Sequence, residues 1–517
     1  MPSVKLSVTI GKRLVAKYGA AGSKSIDAAI RAWSAAATPL GFKTIHLPLD
    51  DANAMARYKV RPLRGAVTPV KVKRVIDALF AALHPDYLVL IGSGDVIPFF
   101  EVTNPSSRQD DEPTLLTDNP YACSTKFRAA KRRSYLVPDR VVGRIPDIPG
   151  ATDPRALIDY LTHAARWTSR PVAAYRGAYA VCCDSWKRAG HDAMRKIGES
   201  AAALMISPPA TDAGAAARRR LRARLHMIKC HGADLDVRFY GQKGASYPEI
   251  LKSRTLGGRI RRGTVVGAMC CFGAQVFAPD DPAALLPGEA PIAATYLRRG
   301  AAGFAGATST AWVGFADMQC IDWIVTGYLK NVLEGCSLGR AVLDSKQSFF
   351  DYLGNQGRGP DRTEEKSLLH FILLGDPAFH PVAAAPEGVR PASAVVAAGM
   401  GSRVALAERR ERRVIRSARA ERLRHEIPER LSAGAAARNR ATRLFSLLRE
   451  QLGLNAKTLG ITRARVVVDF TAAGALKTYD YYWRGKRKAA GRNHYRVVRL
   501  ETDDRGTPLR ARVVVSA

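Results

Sequence analysis

The sequence predicts an α/β protein, a mostly parallel sheet with helices on both faces, followed by a basic C-terminal α+β module. Three observations carry this. Short unbroken apolar runs such as "DYLVLI" (residues 86–91) and "VVGAM" (residues 265–269) have the length and composition of strands buried on both faces. Amphipathic stretches with helical spacing separate them. Beyond residue 401 the chain changes character: residues 401–517 hold 28 Lys and Arg against 11 Asp and Glu, +17 of the whole chain's formal +34.

At 517 residues the chain exceeds one typical core, so several units are expected. The boundaries read as an N-terminal α/β subdomain over 1–150, a second α/β subdomain over 151–381, an Ala/Pro/Val-rich linker over 382–400 and the basic module over 401–517. In the first subdomain, "IDAAIRAWSAAATPLGF" (26–42) predicts a helix stopped by Gly41, and "KTIHLPL" a strand. "VTPVKVKRVIDALFAALH" (67–84) predicts a second helix with Pro69 near its start. Strand-like runs continue through "RGAYAVCCDSW" (176–186), "RLHMIKCHGAD" (224–234), "GTVVGAMCCFG" (263–273), "GAAGFAGATST" (300–310) and "LLHFILLGDPAFHP" (368–381). A helix is expected over 191–205, and another over 247–259 as the crossover between two of these strands. In the basic module, "RVALAERRERRVIRSARAERLRHEI" and "AAARNRATRLFSLLREQLG" predict charged helices. "RARVVVDF", "ALKTYDYYWRG", "HYRVVRLET" and "LRARVVVSA" alternate like strands of a small antiparallel sheet, with a hairpin turn at "DDRG" (503–506).

Several function classes are disfavoured. The first residues lack the apolar core of a signal peptide, and no apolar run is long enough to span a bilayer, so a cytoplasmic location is expected. Eight cysteines without a C-x-x-C unit argue against a structural zinc, and no metal or cofactor is expected. "GAAGSKS" (19–25) lacks the Gly directly before Lys of a phosphate loop, and "GSGD" (92–95) lacks the third Gly of a dinucleotide fingerprint. The charge of +34 suits polyanions, nucleic acid included. Tyr479, Tyr481, Tyr482 and Trp483 beside "RGKRK" would suit base stacking plus phosphate contacts, although alternating strand aromatics usually form core.

Two apolar strands end in reactive side chains. "LHMIKC" runs into His231-Gly232 and "VVGAM" into Cys270-Cys271, 40 residues later. Sites in parallel sheets form beyond the carboxyl ends of strands. If these two are neighbours, an imidazole and a thiol leave the same edge. A thiolate is the nucleophile, and a nearby imidazole takes its proton and later donates one to a leaving amine. The Gly232 and Cys271 N–H groups are then candidate oxyanion donors.

The order of short words "DYLVLIGSGDVIP", "LVPDRVVGRIP", "CHG", "AMCCFGAQ" and "LLGDPAF" resembles the gingipain family of cysteine peptidases, which has a caspase-like fold, over roughly residues 1–381. The resemblance implies an endopeptidase with His231 as base and acid, Cys271 as nucleophile and Cys270 in packing. It also places the loop "CCDSWKRAGHDAMR" where that family carries acidic active-site residues, which makes Asp184 and Asp192 candidates to bind substrate and favours a basic P1 residue. Asp192 could equally cap a helix. The absent signal peptide and the basic module depart from the family, so location and regulation do not carry over. The competing reading is a non-catalytic protein- or polyanion-binding protein on a peptidase-like scaffold.

Overall fold

The computed structural model describes residues 2–356, 359–383, 430–432, 465–473, 476–489, 492–503 and 508–517. Ten strands form the main sheet: β1 (Ser3–Thr9), β2 (Phe42–Pro48), β3 (Tyr87–Ile91), β4 (Val141–Ile145), β5 (Tyr179–Cys183), β6 (Met205–Ser207), β7 (Leu225–Lys229), β8 (Val265–Ala268), β9 (Gly303–Ala307) and β10 (Phe371–Gly375). Their spatial order is β2-β1-β3-β4-β10-β9-β8-β7-β5-β6. Neighbours are parallel throughout except β9 and β10, which are antiparallel. The sheet is thus two parallel five-stranded blocks running in opposite directions, and β10, late in the chain, completes the first block.

The junction of β4 with β10, inside the first block, explains two of the motifs. A Cβ on Gly143 of β4 would sit 2.6 Å from the carbonyl oxygen of Gly375, so only glycine lets the strands approach there. Arg144 beside it is fully buried, with its guanidinium on both carboxylate oxygens of Asp118 (2.8 and 2.6 Å) and on the carbonyls of Gly92 and Ile97. Asp376 of "LLGDPAF" receives Lys5 Nζ at 3.1 Å and Trp33 Nε1 at 3.0 Å.

That ion pair is why β1 was not evident in the sequence. "SVKLSVT" is half polar, and its lysine is buried by a partner more than 300 residues away. The following helical stretch spans Gly11–Ala37 but is broken at Gly19 (φ +68°, ψ 174°), so the expected helix starts earlier, just after that glycine, and takes up the rest of "GAAGSKS"; Leu14, Tyr18, Ile26, Ile30 and Trp33 are buried along it. The helix over Pro69–Leu83 matches its sequence signals, with Thr68 capping Lys71 N–H and His84 closing it in the left-handed region. Two expectations are corrected. The helix expected over 191–205 is Lys187–Lys196; Gly198 adopts φ +74° and the chain turns into edge strand β6. The crossover expected as a helix is instead a hairpin, Arg238–Tyr240 with Glu249–Lys252, followed by one short turn, Ser253–Leu256.

In the basic module, strands Arg465–Ala473, Leu476–Ala489, Arg492–Asp503 and Pro508–Ser516 pair antiparallel in chain order, as their alternation predicts. The two charged helices expected upstream and most of the linker lie outside the described residues. The sheet is not separate from the α/β unit. Pro508–Ser516 also pairs antiparallel with Trp312–Gly314, which follows β9. Arg484 is paired with Asp111, Arg499 lies 3.3 Å from Asp361, and Arg512 holds Glu364 at 2.6 Å. Part of the module's charge is therefore engaged by carboxylates of the α/β unit. Tyr481, Tyr482 and Trp483 are buried, which corrects the expectation that they form a base-stacking surface; the exposed cations of that stretch are Lys486, Arg487 and Lys488. Among the described residues no helix is long and apolar enough to cross a membrane, and no His/Cys/Asp/Glu group is arranged to hold a metal ion.

Candidate active site

Strands β7 and β8 are adjacent and in register, with Ile228 opposite Ala268. His231 and Cys271 each lie three residues beyond these partners, so the chain delivers both to the same edge at the same level. The contact is close: a Cβ on Gly232 would meet the carbonyl oxygen of Cys271 at 2.0 Å. Any side chain at 232 would force the two segments apart.

His231 is 3% exposed. Its main chain exchanges two hydrogen bonds with Tyr240, both 2.9 Å. Its Nε2 lies 3.0 Å from Oε1 of Gln242. The Gln242 amide nitrogen donates to the Tyr247 hydroxyl at 2.8 Å and the Gly244 carbonyl at 3.3 Å, which turns its oxygen toward the ring. An acceptor at that position assigns the ring proton to Nε2 and leaves Nδ1 as the basic nitrogen. Trp186 meets the imidazole edge-on at 4.4 Å, and His494 meets it at 4.7 Å. Sequence reasoning missed Gln242, Trp186 and His494. Trp186 lies in the very loop singled out for its carboxylates, and an aromatic there was the available signal.

Cys271 is 5% exposed. Its sulfur receives the Ala311 N–H at 3.2 Å. Burial pushes the thiol up to about 12, against the lowering effect of the Ala311 contact; Glu112 raises it, Lys366 lowers it and Asp110 raises it. The next residue, Phe272, adopts φ +54°, the left-handed region that a bulky side chain rarely enters. Segment 307–311 holds it there: Phe272 N–H donates to Ser309 O at 3.0 Å and Ala274 N–H to Ala307 O at 2.9 Å. That segment is itself fixed by an ion cluster of buried Lys366 and Asp110 with half-buried Glu112. Glu112 accepts from Thr310 N–H at 3.0 Å and its hydroxyl at 2.6 Å, while Lys366 bridges Glu112 and Asp110, both at 2.6 Å. Cys270 is fully buried, its thiol toward Ile228 O at 3.6 Å.

A resting thiol titrating near 12 is a weak nucleophile at neutral pH. Below its pKa the thiolate fraction grows about tenfold per pH unit. Alkylation of Cys271 in the intact chain should therefore climb steadily from pH 7 to 10, whereas an ordinary thiol levels off near 9. Mass spectrometry of the Cys271 peptide after timed iodoacetamide exposure measures this, and a plateau below pH 9 contradicts it.

The Cys271 N–H, a candidate oxyanion donor, gives its hydrogen bond to the main-chain oxygen of Ala517 at 3.2 Å. Ala517 N–H in turn donates to Ala311 O at 3.0 Å. Of the candidate carboxylates, Asp184 holds Lys187 at 3.0 Å, and Asp192 is paired with Arg195 on the exposed side of its helix. Lys229, two residues before His231, forms an ion pair of 2.5 Å with Asp322, both side chains 0% exposed. The other Asp322 oxygen accepts Gly314 N–H at 2.8 Å and Gln319 N–H at 3.0 Å. One carboxylate thus ties the histidine-bearing strand to Trp312–Gly314.

No protein-family model matches the chain, and no curated protein matches it. Among solved structures, a chain described as "Structure of Protease" is 13% identical, with a TM-score of 0.46, over 99% of this chain and 97% of that one. At that distance, function has to be read from the site itself.

Proposed function

We propose that the protein is a cysteine endopeptidase of gingipain-like type in which Cys271 is the nucleophile and His231 the proton carrier. The observation that carries this is the in-register exit of His231 and Cys271 from adjacent parallel strands, with Gly232 packed on the Cys271 carbonyl. As Cys271 Sγ bonds to the substrate carbonyl carbon, its proton passes to His231 Nδ1. The carbonyl oxygen becomes an oxyanion held by the Cys271 N–H, with the Gly232 N–H as second donor. On collapse the C–N bond breaks, and the imidazolium returns its proton to the leaving amine. Water then hydrolyses the thioester by the same route. Because burial raises the thiol, proton transfer accompanies attack and no resident ion pair is needed. Gln242 and Trp186 are positioning residues for the imidazole.

A preference for basic P1 residues follows if Asp184 and Asp192 exchange their present cations, Lys187 and Arg195, for the substrate's. Asp192→Asn should then reduce selection for Arg or Lys over a neutral P1 residue by about fivefold to tenfold. A P1-varied peptide series measures the ratio, and a profile dominated by acidic or apolar P1 residues rejects the assignment.

The test of the activity itself is covalent. In a chain carrying Val515→Asp, which loosens the C-terminal strand over the site, a peptidyl acyloxymethyl ketone should label Cys271 and no other cysteine, and His231→Ala should slow that labelling. A second reading is favoured by the Cys271 N–H being already occupied: a non-catalytic scaffold whose basic module binds protein or polyanion partners through cations such as Lys486, Arg487 and Lys488. A chain inert to the probe, but retaining nucleic acid in a salt-sensitive way, supports that second reading.

A further inference from the structure

The strand Pro508–Ser516 ends where a peptide substrate would have to lie. We infer that residues 513–517 fill the acyl-side groove of Cys271 as a built-in ligand, so that the resting chain is self-blocked and a substrate binds only after this strand leaves. The inference rests on the peptidase reading for the identity of the groove.

Three contacts define the groove and its occupant. Ser516, Val515 and Val514 pair antiparallel with Trp312, Val313 and Gly314, the geometry of an extended peptide added to a free strand edge. Ala517 N–H donates to Ala311 O at 3.0 Å, one residue before that edge. Ala517 O accepts from Cys271 N–H at 3.2 Å, where the acyl oxygen of a bound peptide would be held. Ala517 therefore stands as P1, Ser516 as P2 and Val515 as P3. Ala517 is 2% exposed, and Val515 packs in the main core. Ala517 presents only a methyl group where the proposed substrate presents a basic side chain, so the occupant forgoes the Asp184 and Asp192 contacts.

The same sheet also covers the histidine. His494, Tyr495, Val515 and Ser516 share one small cavity with His231 and Gln242. Ser516 Oγ accepts Tyr495 N–H at 2.9 Å, which fastens the blocking strand to its neighbour. Away from the thiol, the sheet is anchored by Arg484 and Lys486 on Asp111 and by Arg512 on Gln319 and Glu364. Displacing the strand requires breaking these polar anchors. The main sheet stays whole, because its ten strands include none from this module.

The test is alkylation of Cys271 in the full chain, quantified by peptide mass spectrometry, with thermal unfolding as a check on the fold. Val515→Asp places a charge in the apolar seat of the strand and should raise the Cys271 rate by about tenfold or more, with Cys270 still protected. Asp111→Asn, remote from the thiol, should raise it about twofold to threefold by loosening the anchor. Adding a synthetic hexapeptide of residues 512–517 to the Val515→Asp chain should slow labelling again. A folded Val515→Asp chain that labels at the wild-type rate overturns the inference. If that variant does not fold, an unchanged rate in Asp111→Asn overturns it. Labelling reads access and not turnover, so the two readings fail separately. Fast labelling without any peptide cleavage sinks the peptidase and leaves the self-block standing. Equal labelling and equal cleavage in both chains sinks the self-block alone.

Discussion

Cys271→Ala lowers kcat/KM for peptide hydrolysis by about a thousandfold or more, while Cys270→Ala keeps most of it. The two thiols are adjacent, yet their surroundings differ. Cys271 has its sulfur at the Ala311 amide and its N–H at the main-chain oxygen of Ala517. Cys270 points into the sheet at Ile228 O, and burial raises its thiol well above the usual range. Replacing Cys270 with alanine removes one buried sulfur and costs some stability, with no reacting atom touched. Both variants are to be compared in one background, for which Val515→Asp is the natural choice because the groove is open there. A dead Cys270→Ala beside an active Cys271→Ala reverses the assignment.

Asp322→Ala destabilises the chain by about 3–5 kcal/mol, because it leaves the Lys229 ammonium buried without its counter-charge. The pair is fully enclosed, and the same carboxylate also accepts the Gly314 and Gln319 amides. Burial pushes the Asp322 carboxyl up, and Lys229 pulls it back down. Removing one partner should therefore be worse than removing both. The double variant Lys229→Met/Asp322→Leu should recover a good part of the lost stability, since no bare charge remains. Urea unfolding of the three variants measures this. A single variant within about 0.5 kcal/mol of wild type means that water reaches the pair. Peptide binding should also weaken in Asp322→Ala, because Gly314 belongs to the strand edge that carries the groove.

The sequence by itself determined the strands that bury both faces. The apolar runs of β3, β7, β8, β9 and β10 are recognisable because strands covered on both sides are apolar at nearly every position. It also determined that His231-Gly232 and Cys270-Cys271 close two such strands, since each follows its apolar run directly. Period-two alternation likewise made the antiparallel C-terminal strands evident. Tertiary structure alone decided the rest, because the deciding contacts join residues far apart in the chain. β1 is a strand through the pairing of Lys5 with Asp376, which no local pattern reports. Strand order makes β7 and β8 neighbours and sets β10 antiparallel to β9. The partners of the imidazole come from three separate segments: Trp186, Gln242 with Tyr247, and His494. The placement of Ala517 on the Cys271 amide depends on a strand pairing that spans some two hundred residues. Spacing in the sequence limits how far apart two residues can lie; it does not say which distant residues the packed sheet brings together.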